Sequence, residues 1–293
     1  MSQTDAEVFA AHRKRLFSIA YRMLGVRADA EDIVQDAWLR WHGSDRTGVL
    51  SVEAWLVTVT TRLAIDRLRA LKAEREAYSG FWLPEPIVEM DEHTPESQAE
   101  MASDLSMAFM WVLERLSPEE RAAFLMRQVF DYEYAEVAEM LGKSEAACRQ
   151  MVSRASERVQ QEKVRFEVRR EDHRNILQRF VAAAHSGQQD AIRAFISDDM
   201  QFVGDGGGKV PSYPYIVRDP DMIAELYAKF SKSGKTRYEL VLLNGQPGLL
   251  RYIGSKLESI QCLETDGERI TGFYVIRNPD KLAKLASSSG AVR

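Results

Sequence analysis

The chain has 293 residues, of which 45% are hydrophobic and 28% are charged, and its formal net charge at pH 7 is −5. This apolar content excludes a disordered chain, and the length suits two or three domains. No run of about 18 apolar residues is present and the N-terminus lacks the apolar centre of a secretion signal, so neither a membrane span nor export is expected. The two cysteines, Cys148 and Cys262, make no disulfide framework and favour a reducing, cytoplasmic location.

Residues 1–72 are predicted to form a first helical domain. The opening helix covers about residues 6–24, and the second, residues 29–41 (DAEDIVQDAWLRW), is expected to begin with Asp29 as its N-cap. Apolar residues recur along the second helix at helical spacing, which leaves a polar, accessible face formed by Asp32, Gln35, Asp36 and Arg40. Residues 51–71 form a third helix, in which four charged residues interrupt an apolar, threonine-rich run: Arg62, Asp66, Arg67 and Arg69.

Residues 73–103 are predicted to be a linker. It contains the sequence WLPEP at residues 82–86, where two prolines within three residues exclude a helix and favour an extended segment. Large apolar side chains would be unusual on a free linker, so we expect Phe81, Trp82 and Leu83 to pack against another part of the molecule.

Residues 104–165 are predicted to form a second helical domain, in which Ser117-Pro118-Glu119-Glu120 marks a helix start. Residues 133–158 (EYAEVAEMLGKSEAACRQMVSRASER) predict a helix-turn-helix, with Gly142 ending its first helix and Ser144 capping its second. The outward face of the second helix carries polar side chains that are suited to hydrogen bonding with base edges in the major groove: Arg149, Gln150, Ser153 and Arg154. By itself, the segment fits an ordinary amphipathic hairpin equally well.

The pattern changes in residues 171–293. Helices are predicted at residues 175–185, 188–195 and 219–230, and short strands at 200–203, 237–243, 248–253, 256–264 and 269–276. Helices followed by strands indicate an α+β domain with a curled antiparallel sheet. A cone of this kind encloses a pocket, which could hold a small ligand.

Two blocks of the sequence carry a resemblance to a known family. Residues 29–40 (DAEDIVQDAWLR) and 54–69 (AWLVTVTTRLAIDRLR) resemble region 2 of a bacterial sigma factor, and the helix-turn-helix resembles region 4. Their order and spacing match the extracytoplasmic-function group, which keeps only these two sigma domains. The resemblance implies a transcription initiation factor that binds the clamp and flap regions of core RNA polymerase and reads promoter DNA.

The same resemblance implies a role for each candidate surface. It places polymerase binding on Asp32, Gln35, Asp36 and Arg40. It places recognition of the −10 element on Arg62, Asp66, Arg67 and Arg69, with the loop 42–50. It places recognition of the −35 element on Arg149, Gln150, Ser153 and Arg154.

Three short motifs narrow the resemblance further. WLPEP at residues 82–86, DGGGK at 205–209 and NPDKL at 278–282 are similar to the signatures of sigma factors that carry a SnoaL-like C-terminal extension. The implied fold class is therefore two all-α sigma domains followed by an α+β cone of the SnoaL or ketosteroid-isomerase type. The resemblance implies control of the sigma domains in cis, without a separate anti-sigma factor, through these interdomain residues: Trp82, Leu83, Pro84, Asp205, Gly206, Gly207, Gly208, Asn278, Pro279 and Asp280. For the glycine run, a structural or interdomain loop and an anion-binding loop both stay open.

The charge distribution bears on DNA binding. The first 171 residues contain 30 acidic side chains against 23 lysines and arginines, which is unusual for a protein that grips duplex DNA alone. The basic residues concentrate at 62–72 and 149–165, where DNA contacts are expected. Since core polymerase supplies most of the grip on DNA, this pattern favours a sigma factor that binds DNA weakly when free.

Two other functions are compatible with parts of the sequence. One is a one-component regulator that joins a helix-turn-helix to a ligand-binding domain. The other is a ketosteroid-isomerase-like enzyme fused to a DNA-binding module, with Asp205, Tyr213, Tyr215 and His185 as candidates. No spacing fixes those residues in one site, so no catalytic residue is assigned. The five histidines lack metal-ligand spacing, and neither a metal nor another cofactor is expected.

Overall fold

The computed structural model describes residues 5–45, 47–89, 105–162, 168–232 and 234–288. The chain divides into two compact units: the first unit comprises Met1–Glu76 and Phe109–Lys163, and the second unit comprises Ala77–Ala108 and Val164–Arg293. The part of the predicted linker beyond residue 89 and the predicted start of the second helical domain at residue 104 lie outside the described residues. In the described part of the chain, no helix is long and apolar enough to cross a membrane.

The N-terminal part of the first unit consists of three helices: α1 (Asp5–Leu24), α2 (Arg27–Gly43) and α3 (Val52–Glu76). Each helix turns an apolar face inward, and Leu16 and Leu56 are fully buried in the resulting core. Burying side chains of this size contributes about 1.5–3 kcal/mol each, which is what holds three helices of modest propensity together.

The start of α2 differs from the prediction. Asp29 is not the N-cap, because the helix begins at Arg27 and Asp29 lies in its first turn. The cause is the preceding turn: Gly25, with φ of 68°, ends α1 and donates its amide to the carbonyl of Tyr21. The chain therefore reverses within two residues, and Asp29 stays near the positive end of the helix dipole.

Four helices form the rest of the first unit: α4 (Met107–Leu113, from Phe109 onward), α5 (Pro118–Gln128), α6 (Tyr134–Leu141) and α7 (Glu145–Glu162). The predicted start of α5 is confirmed. The hydroxyl of Ser117 accepts from the amide of Glu120 at 3.3 Å, and the Glu120 carboxylate accepts from the amide of Ser117 at 3.2 Å. This reciprocal pair satisfies two amides that the helix itself leaves without partners.

The helix-turn-helix is formed by α6 and α7. Gly142 ends α6 in the left-handed conformation, with φ of 63°, as predicted. The hydroxyl of Ser144 accepts from the amide of Ala147 at 3.2 Å and so caps α7, also as predicted. The first helix begins one residue later than predicted, because Glu133 serves as its N-cap.

The second unit combines helices with one six-stranded sheet. Its elements are β1 (Val88–Glu89), α8 (Arg170–Ser186), α9 (Gln189–Arg193), β2 (Ile196–Asp205), α10 (Pro220–Lys232), β3 (Thr236–Leu243), β4 (Gln246–Ile253), β5 (Lys256–Thr265), β6 (Ile270–Ile276) and α11 (Pro279–Ser288). The strand order is β1-β3-β4-β5-β6-β2. The α+β class is thus confirmed.

The sheet is mixed rather than antiparallel. Strands β3 to β6 form an antiparallel meander, but β2 pairs with β6 in parallel. The reason is connectivity: α10 and the whole meander separate β2 from β6, so no hairpin dictates its direction. Helices α8 and α10 cover one face, where the ring of Phe180 lies 5.0 Å from that of Tyr227 and 6.0 Å from that of Phe273.

Candidate nucleic-acid and polymerase surfaces and the linker cluster

The outer face of α7 carries the residues predicted to contact the −35 element. Arg149, Gln150, Ser153 and Arg154 are all exposed. The opposite face is buried, and burial raises the pKa of the Cys148 thiol, which fits a small packed side chain. Arg149 makes an ion pair with Glu145 at 2.8 Å, one turn away on the same helix. Exposed pairs of this kind contribute at most about 1 kcal/mol, so DNA could displace this one at little cost.

Two of the four residues on α3 predicted to contact the −10 element are engaged by the other half of the first unit. Arg62 donates from Nε to the carbonyl of Met140 at 2.7 Å and from Nη2 to the carbonyl of Glu139 at 3.0 Å. These carbonyls belong to the last turn of α6, where a helix cannot satisfy all of its own carbonyl groups. Arg69 lies 2.5 Å from the carboxylate of Glu119. In this structure, Arg62 and Arg69 therefore bind α6 and α5 of the first unit.

The other two residues on α3 have local partners. Arg67 pairs with Asp29 of α2 at 2.8 Å, and this hydrogen bond raises the pKa of the Arg67 guanidinium. Asp66 pairs with Arg69 at 3.0 Å on the same helix face. Arg67 therefore joins α3 to α2, a packing role that sequence spacing alone did not indicate.

The predicted polymerase-binding face of α2 is accessible. Asp32, Gln35, Asp36 and Arg40 are all exposed. Leu39 lies on the same stretch of helix and is 57% exposed. An apolar side chain among charged ones gives the face both of the contact types that protein interfaces use.

A buried charge cluster that the sequence did not predict joins the two halves of the first unit. Glu114 accepts from Arg121 Nη1 at 2.6 Å and also pairs with Arg75 at the end of α3. Arg121 also donates to the carbonyl of Met23 at 2.6 Å, and Arg75 to that of Leu24 at 2.5 Å. The two guanidinium groups are therefore compensated by one carboxylate and by the C-terminal carbonyls of α1. The side chain of Arg121 is 1% exposed.

In the second unit, one buried carboxylate brings the three sequence motifs together. Asp205, which is fully buried, accepts from the Tyr78 hydroxyl at 2.5 Å, from the Leu83 amide at 3.0 Å and from Lys281 Nζ at 2.7 Å. Asn278 donates from Nδ2 to the Tyr78 hydroxyl at 2.7 Å. We call these five residues the linker cluster, because they bond the predicted linker to the DGGGK and NPDKL motifs.

The cation of the linker cluster also contacts the WLPEP motif. Lys281 donates to the carbonyl of Leu83, and its Nζ lies 4.1 Å from the ring centroid of Trp82. Leu83 is itself fully buried, as the prediction of a docked linker required. Burial first, and then the bond to Asp205, raise the pKa of Tyr78, so its hydroxyl remains a neutral donor.

The glycine run allows these segments to approach closely. Gly207 and Gly208 have φ of 62° and 69°, a region that residues with a Cβ rarely adopt. A Cβ on Gly207 would overlap the side chain of Asn278, and one on Gly208 would lie 2.8 Å from Cβ of Ser79. Side chains at these two positions would therefore displace Asn278 and Ser79 of the second unit.

The other predicted interdomain residues lie around the same cluster. Gly206 leaves no room for a side chain beside the carbonyl of Val210. Pro84 is buried. Pro279 is the first residue of α11, and Asp280 donates its amide to the side chain of Asn278 at 3.0 Å.

A second set of bonds fixes the linker farther along the chain. Asn244, in the turn between β3 and β4, accepts from the amide of Ile87 at 2.8 Å and donates to the carbonyl of Leu105 at 3.0 Å. Between these two points, Val88 and Glu89 form β1 at the edge of the sheet. The linker is thus bonded to the second unit on both sides of residues 90–104.

Of the four residues weighed for catalysis, Tyr213 and Tyr215 lie together, with ring centroids 5.9 Å apart, but Asp205 and His185 lie elsewhere in the second unit. Asp205 is occupied by the linker cluster, whereas Tyr213 lines a cavity beneath the sheet. Tyr215 is 54% exposed, and the ring of His185 lies 5.5 Å from that of Tyr238. No two of the four are joined by a hydrogen bond between described residues, so the arrangement gives no basis for proton transfer among them.

Two helical modules, one with a helix-turn-helix, followed by an α+β domain define the class of protein. The models of Sigma-70 region 2 and Sigma-70 region 4 match residues 8–74 and 106–159. The class is therefore that of RNA polymerase sigma factors, and the helix-turn-helix interpretation of residues 133–158 is confirmed.

Similar proteins cover the whole chain. The ECF RNA polymerase sigma factor SigJ of Mycobacterium tuberculosis is 38% identical over 94% of this chain and 93% of its own length. The probable ECF RNA polymerase sigma factor SigI of the same species is 25% identical over 99% of both chains. The crystal structure of M. tuberculosis SigJ matches 98% of this chain with a TM-score of 0.76 and 34% identity.

The chain belongs to the extracytoplasmic-function RNA polymerase sigma factors. It is a transcription initiation factor that binds core RNA polymerase and directs it to promoter DNA. The predicted fold class, two helical sigma domains followed by an α+β domain, is confirmed as well.

Proposed function

We propose that the second unit controls promoter recognition in cis by holding the linker between region 2 and region 4. The observation that carries this proposal is the bonding of the linker main chain on both sides of residues 90–104. On one side Leu83 and Ile87 are bonded to the side chains of Asp205 and Asn244, and on the other Leu105 is bonded to Asn244.

The physical consequence concerns how far the two sigma regions can separate. The first unit leaves off at Glu76 and resumes at Phe109, so 32 residues connect its two parts. A free chain of that length could extend to about 100 Å. Bonding this segment to one folded body at Leu83 and Ile87 on one side of residues 90–104, and at Leu105 on the other, would limit that reach. A free-energy difference of a few kcal/mol between the bonded and the released state of the linker would suffice as a switch, because about 1.4 kcal/mol changes the ratio of the two populations tenfold.

Promoter recognition is assigned to two surfaces of the first unit. The −35 element falls to the exposed face of α7, formed by Arg149, Gln150, Ser153 and Arg154. The −10 element falls to α3 and the loop 42–50, where Leu50 is fully exposed, and the α3 residues are Arg62, Asp66, Arg67 and Arg69. Because Arg62 and Arg69 bind α6 and Glu119, a melted strand must displace those partners before these arginines can read it.

Polymerase binding is assigned to the exposed face of α2. Asp32, Gln35, Asp36 and Arg40 would contact the clamp, with Leu39 as an apolar anchor among them. Region 4 would contact the flap. The protein would act in the cytoplasm without a separate anti-sigma factor, because the controlling unit is part of the same chain, and a small ligand in that unit could bias the control.

The test uses the full chain and a change of one oxygen atom. Tyr78→Phe removes the hydroxyl that joins Asp205 to Asn278, and losing a hydrogen bond to a charged group costs about 1.5–3 kcal/mol. Run-off transcription with purified core polymerase should change about tenfold relative to the unaltered protein. The matched control is Tyr215→Phe, because Tyr215 is 54% exposed in the same unit. Equal output from all three proteins would show that the second unit does not control transcription.

A further inference from the structure

The second unit encloses a cavity of roughly 260 Å³ that the control of the linker does not use. Its walls are largely apolar and include four aromatic side chains: Phe202, Tyr213, Tyr227 and Phe230. Two arginines, Arg251 and Arg277, also line it. Apolar walls with a few charged groups at one place are typical of sites for small organic molecules.

The charges beside the cavity do not balance. Arg251 is 2% exposed and binds Oε2 of Glu258 through Nε at 2.8 Å and Nη2 at 2.7 Å. Arg277 binds the other oxygen, Oε1, through Nε at 2.6 Å. Burial alone would raise the pKa of Glu258, but the two arginines outweigh it and hold that pKa below its ordinary value. One carboxylate is therefore shared by two cations.

The first unit also contains a cluster of two arginines and one carboxylate, but its arginines have more acceptors than those beside the cavity. Around Glu114, the carbonyls of Met23 and Leu24 accept from the two arginines in addition to the carboxylate. Around Glu258, the described residues supply one carbonyl, that of Pro211, which accepts from Arg277. Arg251 instead faces the hydroxyl of Tyr238 and two aromatic rings, those of Phe230 and Tyr227, whose centroids lie 3.8 Å and 5.7 Å away. These neutral groups compensate a cation less than a pair of helix C-terminal carbonyls does.

We propose that this cavity binds a small planar aromatic carboxylate. The ring would lie against the walls of Phe202, Tyr213 and Tyr227, and the carboxylate would accept from Arg251 and Arg277. The two oxygens of a carboxylate match the planar fork of a guanidinium group, and a carboxylate adds little volume to the ring that carries it. The cavity is smaller than most drug-binding sites, so it suits one ring or two fused rings. This binding function goes beyond control in cis and does not depend on it.

In the test, two probes of nearly the same shape are each titrated into the full chain. 2-Naphthoate carries the negative charge, and 2-naphthamide replaces it with a neutral amide. Isothermal titration calorimetry should give at least about tenfold tighter binding of the naphthoate. Equal affinity for the two probes, or no binding of naphthoate, would overturn the proposal.

Variants locate the binding. Arg277→Gln should remove the preference for the naphthoate and keep the binding of the amide. Arg237→Gln is the matched control, because Arg237 also pairs with a glutamate of the sheet, Glu239 at 3.1 Å, but does not line the cavity. Its affinities should stay unchanged.

A second variant covers the case in which Arg277→Gln does not fold. Leu226→Trp adds volume at a half-buried lining position and should abolish binding of both probes, while its thermal unfolding shows that the chain is folded. Unchanged naphthoate binding in this variant would place the site elsewhere and overturn the proposal. Since polymerase and DNA are absent from these titrations, their outcome is independent of the transcription test with Tyr78→Phe.

Discussion

Each unit of the molecule contains a carboxylate that is largely or fully removed from water, Glu114 at 11% side-chain exposure and Asp205 at 0%, and the two bind different groups. In the first unit, Glu114 binds two arginine side chains and so joins α3, near the end of region 2, to α5 of region 4. In the second unit, Asp205 binds one lysine, one tyrosine and the main-chain amide of Leu83. In the first cluster the carboxylate binds only side chains, and the arginines add bonds to the last carbonyls of α1. In the second cluster the carboxylate itself binds a main-chain amide of the linker.

The two clusters should therefore affect transcription in different ways. Weakening the Glu114 cluster should loosen the sigma regions themselves. Weakening the Asp205 cluster should leave each sigma region intact and release the segment that connects them. Five changes test this distinction, from the largest expected effect to the smallest.

The largest effect is expected from Asp205→Asn. The substitution keeps the shape but removes the carboxylate charge that pairs with Lys281, whose side chain is 6% exposed. Removing one member of a buried pair costs about 3–5 kcal/mol. Hydrogen exchange at the Leu83 amide should accelerate by about a hundredfold or more, as should opening of the second unit in urea. Asp199→Asn, at an exposed position of the same strand, should change stability by at most about 0.5 kcal/mol. Slow exchange at Leu83 in Asp205→Asn would contradict the role of the carboxylate.

Glu114→Gln tests the other cluster. The substitution removes the carboxylate that Arg75 and Arg121 share, and the cost should be about 3 kcal/mol, at the low end of the range because Arg75 keeps 14% exposure. Urea unfolding of the first unit should show the loss, while exchange at Leu83 stays slow. The matched control is Glu31→Gln, which removes an exposed pair with Arg27. Faster exchange at Leu83 in Glu114→Gln would mean that the two clusters are not independent.

Acid should weaken the second unit before the first. His173 of α8 is buried, and burial lowers its pKa from 6.5 to about 4. The folded state therefore excludes a proton that the unfolded state binds. The resulting stability is complete above pH 6.5 and is lost as the pH falls toward 4, in total about 3 kcal/mol. Urea unfolding at pH 7 and pH 5 should show this slope. His173→Gln should flatten it, and His185→Gln, at an exposed position of the same helix, should not.

The recognition helix should behave unlike either cluster. Arg149→Ala and Arg154→Ala remove exposed side chains, so the unfolding of both units should change little. Each should cost about 1–3 kcal/mol of preference for the −35 element if it makes a base contact. Transcription from promoters with altered −35 sequences measures that preference, with Gln160→Ala of the same helix as the control. Unchanged preference in both arginine variants would rule out this face of α7 as the reader.

The smallest effect is expected from Glu119→Gln. Glu119 pairs with Lys143 at 3.0 Å and Arg69 at 2.5 Å, and it is about a third exposed, so its loss should cost no more than about 1 kcal/mol. The variant should nevertheless bind a single-stranded −10 oligonucleotide slightly more tightly together with core polymerase, because Arg69 no longer has to leave a partner. Weaker binding would show that Glu119 assists DNA recognition.

The sequence predicted the local structure of the first unit well, because local signals dominate there. The capping box of α5, the glycine that ends α6 and the inward face of α7 are all determined by residues within a few positions of one another. The wrong N-cap of α2 shows the limit. Asp29 has the right chemistry for a cap, but the turn at Gly25 is so short that the helix starts before it.

The second unit was less predictable where distant residues meet. The three motifs could be recognised, but Asp205 lies 76 positions from Lys281 and 127 from Tyr78, and no spacing rule connects them. Strand β2 was predicted too short, at residues 200–203 rather than Ile196–Asp205, because its polar start does not alternate. Arg251 within the apolar strand GLLRYI was a usable signal, since a lone charge in a buried strand indicates a partner or a site.

The placement of the linker has a consequence for how such a protein can be divided. A stop codon just after region 4 would remove α8 to α11 and strands β2 to β6, yet it would leave behind β1 and the rest of the linker that packs on them. Leu83 and Ile87, which are 0% and 8% exposed, would then face water next to Trp82. The shortened protein would therefore expose an apolar segment between region 2 and region 4, and such a segment promotes aggregation. In gene rearrangements, the C-terminal domain and the linker would therefore have to be gained or lost together, although region 4 lies between them in the reading frame.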